Sequence, residues 1–343
     1  MKKCLLVLCL ILCSLVIVWA AGPGFHVIKK LPLGGDGGWD YLTVDDAARR
    51  LYVSRSSHVM VVDLESGKQV GDIPNTEGVH GIAIAPEFGR GFTSNGRTNN
   101  ATIFDLKTLK VLGTAPTGLN PDSIRYDSAS KRVFTFNGRG KSATAIDAAS
   151  GKVVATIELG GSPEFTAADG KGKLYVNIAD TNEVVELDAQ KMVVTKRFSL
   201  KPGIEPSGMA FDTARRLVFS GCDNQIMTIL DVNTGKVIST VPIGAGVDGN
   251  GFDPSTGFAF SANGEDGTLT VAKEESPGKW VAAETVTTQK GARTMTIDPK
   301  THYIYLPTAE FGPPVPPPAG APAGARPRPS IIKDSFVILV VGK

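Results

Sequence analysis

The residues best suited to chemistry in this sequence recur at a near-constant interval. One polar side chain appears every 40 to 45 residues, and six of the seven are ionisable. The set is Asp40, His80, Asp122, Glu164, Ser207, Asp248 and Arg293. Carboxylates brought together would supply oxygen ligands for Ca²⁺ or a similar hard cation, and an imidazole among them favours a transition metal. A carboxylate beside His80 would also orient its imidazole for general acid–base catalysis.

No local motif narrows this choice of chemistry. The chain contains no G-x-S-x-G nucleophile elbow, no H-E-x-x-H zinc motif and no phosphate-binding loop. The candidate residues are far apart in sequence, so they can form a site only if the fold brings their repeats together. The fold of the repeating unit therefore decides whether these residues form one site.

The elements that position these residues are short strands within that unit. In residues 207–242, four runs rich in Val, Ile, Thr and Phe are separated by turns containing Asp, Asn and Gly, a pattern typical of β-strands. Acidic markers repeat with the same period and are interpreted as turn-holding side chains. They are Asp45, Asp127, Asp169, Asp212, Asp253 and Asp298 in one series and Asp63, Asp105, Asp147, Asp188 and Asp231 in the other. Seven units of about 40 residues predict an all-β fold, a seven-bladed β-propeller of four-stranded blades.

The repeats also carry a family resemblance. The segments "RRLYVSRSSHVMVVDLESGKQV" from Arg49, "KRVFTFNGRGKSATAIDAASGKVV" from Lys131 and "GKLYVNIADTNEVVELDAQKMVV" from Gly172 resemble the YVTN repeat of the YncE-like propellers, a group of exported bacterial proteins. The resemblance covers about residues 25–343. It implies the propeller fold but no single activity, since such propellers serve both as binding scaffolds and as enzymes.

The ring is expected to close through its N-terminal strand. The last unit supplies only three strands, and residues 25–33 have the form of a lone fourth strand. We expect this segment to pair with residues 336–341, which removes the exposed edges of an open ring.

In a propeller the inner strand of each blade lines the central channel, so the seven polar residues should meet at one mouth. Loops on the same face carry Arg97 and Arg139, each preceded by Asn-Gly, and Arg55 lies near that level in blade one. Paired arginines there would grip a carboxylate or phosphate of a ligand. Asn-Gly is also an ordinary turn former, so a solvated loop is the alternative.

The N-terminus predicts export. Residues 1–21 have two lysines, an apolar run and small residues before a cleavage site, as in a signal peptide. We expect residues 22–343 to form one propeller domain located in the periplasm or secreted, without a membrane anchor after cleavage. Cleavage would leave Cys222 as the sole cysteine, so an internal disulfide is not expected.

Charge and composition disfavour nucleic acid as a partner. The formal net charge is +2, and removal of Lys2 and Lys3 with the signal peptide would bring it to zero. Binding to a phosphate backbone depends on Lys and Arg, and aromatic residues that would stack on bases make up only 7% of the chain.

Blade seven departs from the repeat through a proline-rich insertion at residues 312–329, "GPPVPPPAGAPAGARPRP". Its prolines predict an extended or disordered loop without ladder strands. The loop should leave from the face of the polar mouth, as a tolerated extension, a mobile cover or a contact for another protein.

The sequence thus favours an exported binding or scaffold propeller that holds a small polar ligand or a protein partner at the channel mouth. The candidate ligand-binding residues are Asp40, His80, Asp122, Glu164, Asp248, Arg293, Arg97 and Arg139. The alternative is a cation-dependent, lactonase-like hydrolase or a lyase acting at the same mouth. Either function can include a divalent cation in the channel. The sequence does not indicate the oligomeric state.

Overall fold

A computed structural model describes residue 22, residues 24–315 and residues 328–343. The predicted signal peptide at residues 1–21 and most of the proline-rich insertion lie outside the described residues. Within the described part of the chain, no helix has the length and apolar character needed to cross a membrane.

Seven four-stranded antiparallel sheets form a ring of blades. The N-terminal strand is β1 (His26–Pro32), and blade one contains β2 (Leu42–Asp45), β3 (Arg50–Arg55), β4 (His58–Asp63) and β5 (Gln69–Ile73). Blade two contains β6 (Val79–Ala85), β7 (Arg90–Asn95), β8 (Asn100–Asp105) and β9 (Val111–Pro116). Blade three contains β10 (Pro121–Asp127), β11 (Arg132–Asn137), β12 (Ser142–Asp147) and β13 (Val153–Glu158). Blade four contains β14 (Pro163–Ala168), β15 (Lys173–Ile178), β16 (Glu183–Asp188) and β17 (Val193–Ser199).

The remaining blades repeat this arrangement. Blade five contains β18 (Pro206–Asp212), β19 (Leu217–Cys222), β20 (Ile226–Asp231) and β21 (Lys236–Pro242). Blade six contains β22 (Val247–Asp253), β23 (Phe258–Asn263), β24 (Thr268–Ser276) and β25 (Lys279–Thr287). Blade seven begins with β26 (Thr296–Ile297) and β27 (Ile304–Thr308), continues into the insertion with β28 (Phe311–Val315) and β29 (Arg328–Ile331), and ends with β30 (Val337–Gly342). Two 3₁₀ helices, Pro86–Phe88 and Ala179–Thr181, are also present.

The N-terminal strand closes the ring, as the sequence predicted. Strand β1 pairs antiparallel with β30, from His26 opposite Gly342 to Pro32 opposite Val337, with an irregularity between Val27 and Lys29. The order of strands in blade seven is therefore β26, β27, β30 and β1, so the N- and C-terminal strands share one sheet. The inner strand β26 of this blade has only 2 residues.

The acidic markers hold turns, as expected from their type and position. Asp63 accepts hydrogen bonds from the backbone N–H and the hydroxyl of Ser66 at 2.8 and 2.6 Å, and Asp147 does the same with Ser150. Each bond fixes a tight turn after the third strand of its blade. The regularly spaced aspartates on the face opposite the mouth therefore have a structural role.

The hydrophobic core lies between neighbouring blades. The cluster between blades three and four, for example, packs Phe134 and Phe136 against Leu174 and Val176, all fully buried. Cys222 is also fully buried, at the end of β19. Because each sheet packs on the next, closing the ring buries both faces of every blade.

The insertion in blade seven differs from the sequence expectation at its two ends. Strands β28 and β29 pair antiparallel, with Phe311 opposite Ile331 and Pro314 opposite Pro329, although the prolines predicted no ladder strand. The pair is a two-stranded ribbon with two open edges, where a proline nitrogen can face away from its partner. Residues 316–327 are outside the described part.

Candidate functional site

The polar ring lies at the start of the inner strands. His80, Asp122, Glu164, Ser207 and Asp248 each occupy the second position of their inner strand. Asp40 and Arg293 lie just before β2 and β26. The shared position follows from the repeat, because equivalent residues of equivalent strands meet around the channel.

Neighbouring blades fix the backbone that carries these residues. The Thr294 hydroxyl donates to the Asp40 carbonyl at 2.7 Å, and the Ser123 hydroxyl donates to the Glu164 carbonyl at 2.6 Å. The Ser94 hydroxyl donates in the same way to the carbonyl of Asp122. Since each bond crosses from one blade to another, the ring of side chains is held by the closed architecture.

His80 lies between two carboxylates. Its Nδ1 is 2.6 Å from Oδ2 of Asp40 and 3.6 Å from Oδ1 of Asp122. One ligand atom from each of the three residues lies within 4.8 Å of the others. The buried Oδ1 atom of Asp122 accepts no hydrogen bond within 3.5 Å, although the nearby Tyr41 hydroxyl acts to lower the pKa of this carboxyl. Two carboxylates and an imidazole at this spacing can chelate one divalent cation.

Arg293 is the positive counterpart on the other side of the ring. Its Nε donates to Oδ2 of Asp248 at 2.7 Å, and its Nη2 is 3.6 Å from Oδ1 of Asp40. The Ser207 hydroxyl donates to Oδ1 of Asp248 at 2.9 Å. Both carboxylate oxygens of Asp248 therefore accept hydrogen bonds, whereas Oδ1 of Asp122 accepts none.

Burial and mutual repulsion shift the titration of the ring. Burial raises the pKa of Asp122 to about 7, with the His80 charge opposing it and the Asp40 and Asp248 charges adding to it. Burial, followed by the charges of the three aspartates, raises the pKa of Glu164 to about 8. Carboxylates crowded in this way resist ionising together, and a bound cation would relieve that resistance.

His80 shows the opposite balance. Burial lowers its pKa, but the hydrogen bond to Asp40 and the charges of Asp122, Asp40 and Asp248 outweigh burial and raise the pKa to about 9. At neutral pH the imidazole is therefore a cation, so it partly neutralises the ring. Together with Arg293 it supplies two positive charges against four carboxylates.

A cavity of about 810 Å³ opens above this cluster. Its wall includes Asp40, His80 and Arg293 and, from the rim loops, Arg97 and Arg139. Arg97 is largely exposed, and its nearest acidic group is Glu77 at 3.8 Å. The two rim arginines therefore have donors free to face a ligand in the cavity. Asp122 and Glu164 lie deeper and are not part of its wall.

Arg55 does not belong to the rim, contrary to the expectation from its loop position. Its side chain is fully buried and lies over the Phe336 ring at 3.7 Å. Its guanidinium donates to four backbone carbonyls of residues 34–37. Arg55 thus fastens the segment between β1 and β2 and takes no part in the site.

Tyr41 and Phe165 form a floor that the repeat pattern did not predict. They contact edge to face, with ring centroids 4.9 Å apart, from blades one and four. The equivalent positions in blades two, five and six are Gly81, Gly208 and Gly249. The two aromatic rings therefore fill a layer of the channel in which these other blades contribute no side chain. Burial and then the Asp122 charge raise the pKa of Tyr41. An aromatic pair among small equivalents was the available sequence signal.

The fold has many structural counterparts but no sequence relatives among the families compared. No protein-family model matches the chain, and no curated protein matches its sequence. A hydrazine synthase chain from Kuenenia stuttgartiensis superposes with a TM-score of 0.69 at 15% identity, covering 84% of this chain and 96% of that chain.

Two further solved structures are similar to the same extent. A chain of a mitotic checkpoint complex superposes with a TM-score of 0.72 at 14% identity, covering 89% of this chain and 96% of its own length. The structure of U3-55K superposes with a TM-score of 0.74 at 11% identity, covering 92% of this chain and 99% of its own length. At such identities the likeness shows the fold alone, a seven-bladed β-propeller.

Proposed function

We propose that this protein binds a small polar ligand at the channel mouth and that a divalent cation held by the acidic ring takes part in the binding. The observation that carries the proposal is the Oδ1 atom of Asp122, which is buried without a hydrogen-bond partner beside three other carboxylates. A buried acceptor left unpaired is costly. A cation between Asp40, His80 and Asp122 that displaces the proton of His80 would give it a partner.

The charge balance supports a cation in preference to an anion at this depth. His80 and Arg293 offset two of the four carboxylates, and the remaining two are Asp122 and Glu164, whose pKa values are raised. Raised pKa values mean that ionisation of these two carboxylates is unfavourable unless a cation binds beside them. A cation that removes the protons would gain two carboxylate ligands.

The rim gives the ligand its class. Arg97 and Arg139 face the cavity above the ring, and arginine favours planar recognition of carboxylate or phosphate. A small molecule with an anionic group toward the arginines and a polar group toward the cation fits both levels. A protein partner presenting an acidic side chain is the other occupant compatible with this chemistry.

We also propose the finer assignments that the repeats suggest. The chain is placed with the YncE-like propellers on its "LYV…V-x-V-D" units, and export to the periplasm or beyond is proposed from residues 1–21. N-terminal sequencing of the secreted form after expression with the leader tests export. Intact, cell-retained protein would contradict it.

The decisive experiment is calorimetric titration of the metal-free protein with Ca²⁺, Mn²⁺ and Zn²⁺, alongside thermal melts. We expect one saturable site, and we expect the Asp122→Asn, Glu164→Gln double variant to lose it while remaining folded. Without cation, the double variant should melt slightly higher than the wild type because the repulsion is gone. If no cation shifts the wild-type melt and the double variant is simply less stable, the ring is architecture.

The matched control removes a carboxylate that lies outside the ring. Asp46→Asn, at an exposed residue on the opposite face, should leave cation binding unchanged. Arg97→Ala with Arg139→Ala should keep the cation and lose the polar ligand, so that the two levels of the site are measured separately.

A cation-dependent hydrolase is the second candidate, favoured by the 2.6 Å contact between His80 and Asp40. A carboxylate that orients an imidazole is a common general-base arrangement. With a pKa of about 9, His80 is protonated at neutral pH and needs a cation nearby to become a base. Hydrolysis of lactone or phosphoester substrates that appears only with cation and disappears in His80→Gln would establish this function. Cation binding without turnover would favour the binding role.

A further inference from the structure

A second cavity occupies the channel on the far side of the Tyr41–Phe165 floor. Its volume is about 350 Å³, near the lower end of the range of about 300–1,000 Å³ for small-molecule sites. Phe165 belongs to its wall, while the mouth residues Asp40, His80 and Arg293 do not. The floor therefore separates two compartments of one channel.

Most of the residues that line this lower cavity have apolar side chains. They come from the inner strands of several blades. The larger apolar members are Leu42, Phe165, Met209, Phe211, Phe252 and Met295. Flexible methionines adapt to the shape of an apolar ligand, so the compartment is suited to a hydrocarbon or aromatic body.

One positive charge interrupts the apolar wall. Arg125, on β10, donates from Nη2 to the Thr166 carbonyl at 2.6 Å, and its Nε is buried without a hydrogen-bond partner. Among residues 24–315 and 328–343, the ion pairs include none with Arg125, although arginines elsewhere in the ring pair with aspartates. Burial lowers the pKa of Arg125, which reflects a charge that lacks a counterion.

We propose that the lower cavity binds a small amphipathic carboxylate, with its carboxylate on the Arg125 guanidinium and its apolar body against the channel wall. The site is distinct from the mouth in position and in charge, and the two cavities share no lining residue. A guanidinium with unused donors matches a carboxylate in geometry. The apolar wall contributes by removing hydrocarbon from water.

The surroundings of Arg125 select this class over other anions. Only one cationic side chain lies in the cavity wall as described, so one charge of a dianionic phosphate would remain without a counterion among mostly apolar side chains. A neutral alcohol of the same shape would bury its body but leave Arg125 without a counterion. A monoanion with an apolar tail satisfies both requirements.

The test is titration of the purified full-length protein with octanoate and cinnamate, compared with octanol and cinnamyl alcohol. We expect the acids to bind saturably and to raise the melting temperature, and the neutral analogues to bind at least about tenfold more weakly, since hydrogen bonds to charged groups are the stronger ones. Arg125→Met should lose the preference for the acids, and Arg125→Lys should keep part of it.

Arg132→Ala is the matched control. Arg132 lies in the same blade and also donates to a backbone carbonyl, that of Ala189 at 2.8 Å, but it is outside the cavity. Its replacement should leave octanoate affinity unchanged. Failure of the wild type to bind either acid, equal affinity for acid and alcohol, or unchanged affinity in Arg125→Met would overturn the proposal. Affinity lost in the Arg97→Ala, Arg139→Ala variant instead would place the acid at the mouth and overturn it equally.

Discussion

At the scale of single residues, the carboxylates at the mouth are buried close together, so their ionisation is unfavourable. Glu164 has its pKa raised to about 8 by burial and by its acidic neighbours, while Asp122 has a buried oxygen without a partner. Proteins tolerate such groups where a ligand completes them. The structural role of the other aspartates, which cap turns, needs no ligand.

The first prediction at this scale concerns pH. Folded Glu164 keeps its proton up to about pH 8, whereas the unfolded side chain loses it near pH 4.3. The native state therefore binds more protons between these values, and the free energy of unfolding should fall as pH rises through that window. Urea unfolding at about pH 5 and pH 8 measures the loss, which Glu164→Gln should reduce. Glu158→Gln, at an exposed position, is the control, and equal losses in both variants would contradict the assignment.

The second prediction concerns Gly96, which lies against the His80 imidazole. A Cβ at this position would be 2.7 Å from Nε2 of His80 and 3.0 Å from Oδ1 of Asn120. Gly96→Ala should therefore push the imidazole away from Asp40 and lower the pKa of His80, as NMR titration of the ring proton would show. The equivalent Gly138→Ala is the control, because its Cβ would meet nothing closer than 3.5 Å. The same titration curve in all three proteins would show that His80 is free to move.

At the scale of elements, the N-terminal strand is the closing part of the ring. Strand β1 covers the edge of β30 and buries Leu31 among Trp39, Leu51 and Phe336. A propeller without this strand would expose a strand edge and an apolar face. Loss of the contacts of β1 should therefore lower the free energy of unfolding before it affects ligand binding.

Replacing one residue of β1 tests this role. Leu31→Ala should lower the free energy of unfolding by about 2–5 kcal/mol, the usual cost of truncating a buried leucine. Lys30→Ala, at an exposed position of the same strand, should change it little. Denaturant unfolding of the three proteins gives the comparison, and a loss below about 0.5 kcal/mol for Leu31→Ala would show that β1 is a loose tail.

At the scale of the whole molecule, the ring is closed a second time by an ion pair between blades one and seven. The Arg49 guanidinium donates to both carboxylate oxygens of Asp298 at 2.8 Å. Asp298 is fully buried. Burial raises its pKa, but bonds from Arg49 and Thr301 outweigh burial and lower it to about 2. The stability that this pair contributes is present above the unfolded pKa and is lost as pH falls toward 2.

Removing one partner of the Arg49–Asp298 ion pair should therefore destabilise the closed ring. Arg49→Met leaves Asp298 buried without its cation, which should cost roughly 3 kcal/mol. Asp46→Asn removes one of the two exposed partners of the same arginine and should cost less than about 1 kcal/mol. Thermal and denaturant unfolding at neutral pH measure both. Similar small losses would show that closure depends on β1 alone.

The sequence by itself determined the architecture, because a propeller is specified locally and repeatedly. The period, the turn-capping aspartates and the lone strand at residues 25–33 were sufficient for seven blades and for the closing pair of β1 with β30. The same period predicted one equivalent residue of each inner strand for the channel mouth, since equivalent positions of a closed ring must face one another.

Only the tertiary structure decided which of these residues interact and how. Arg55 shares the loop level of Arg97 but is buried beneath residues 34–37, and Tyr41 and Phe165 divide one channel into two compartments. The unpaired oxygen of Asp122 and the solitary charge of Arg125 likewise depend on neighbours from other blades. Contacts, desolvation and counterions arise between segments far apart in sequence, so a repeat pattern defines positions around the ring but not the partners at each position.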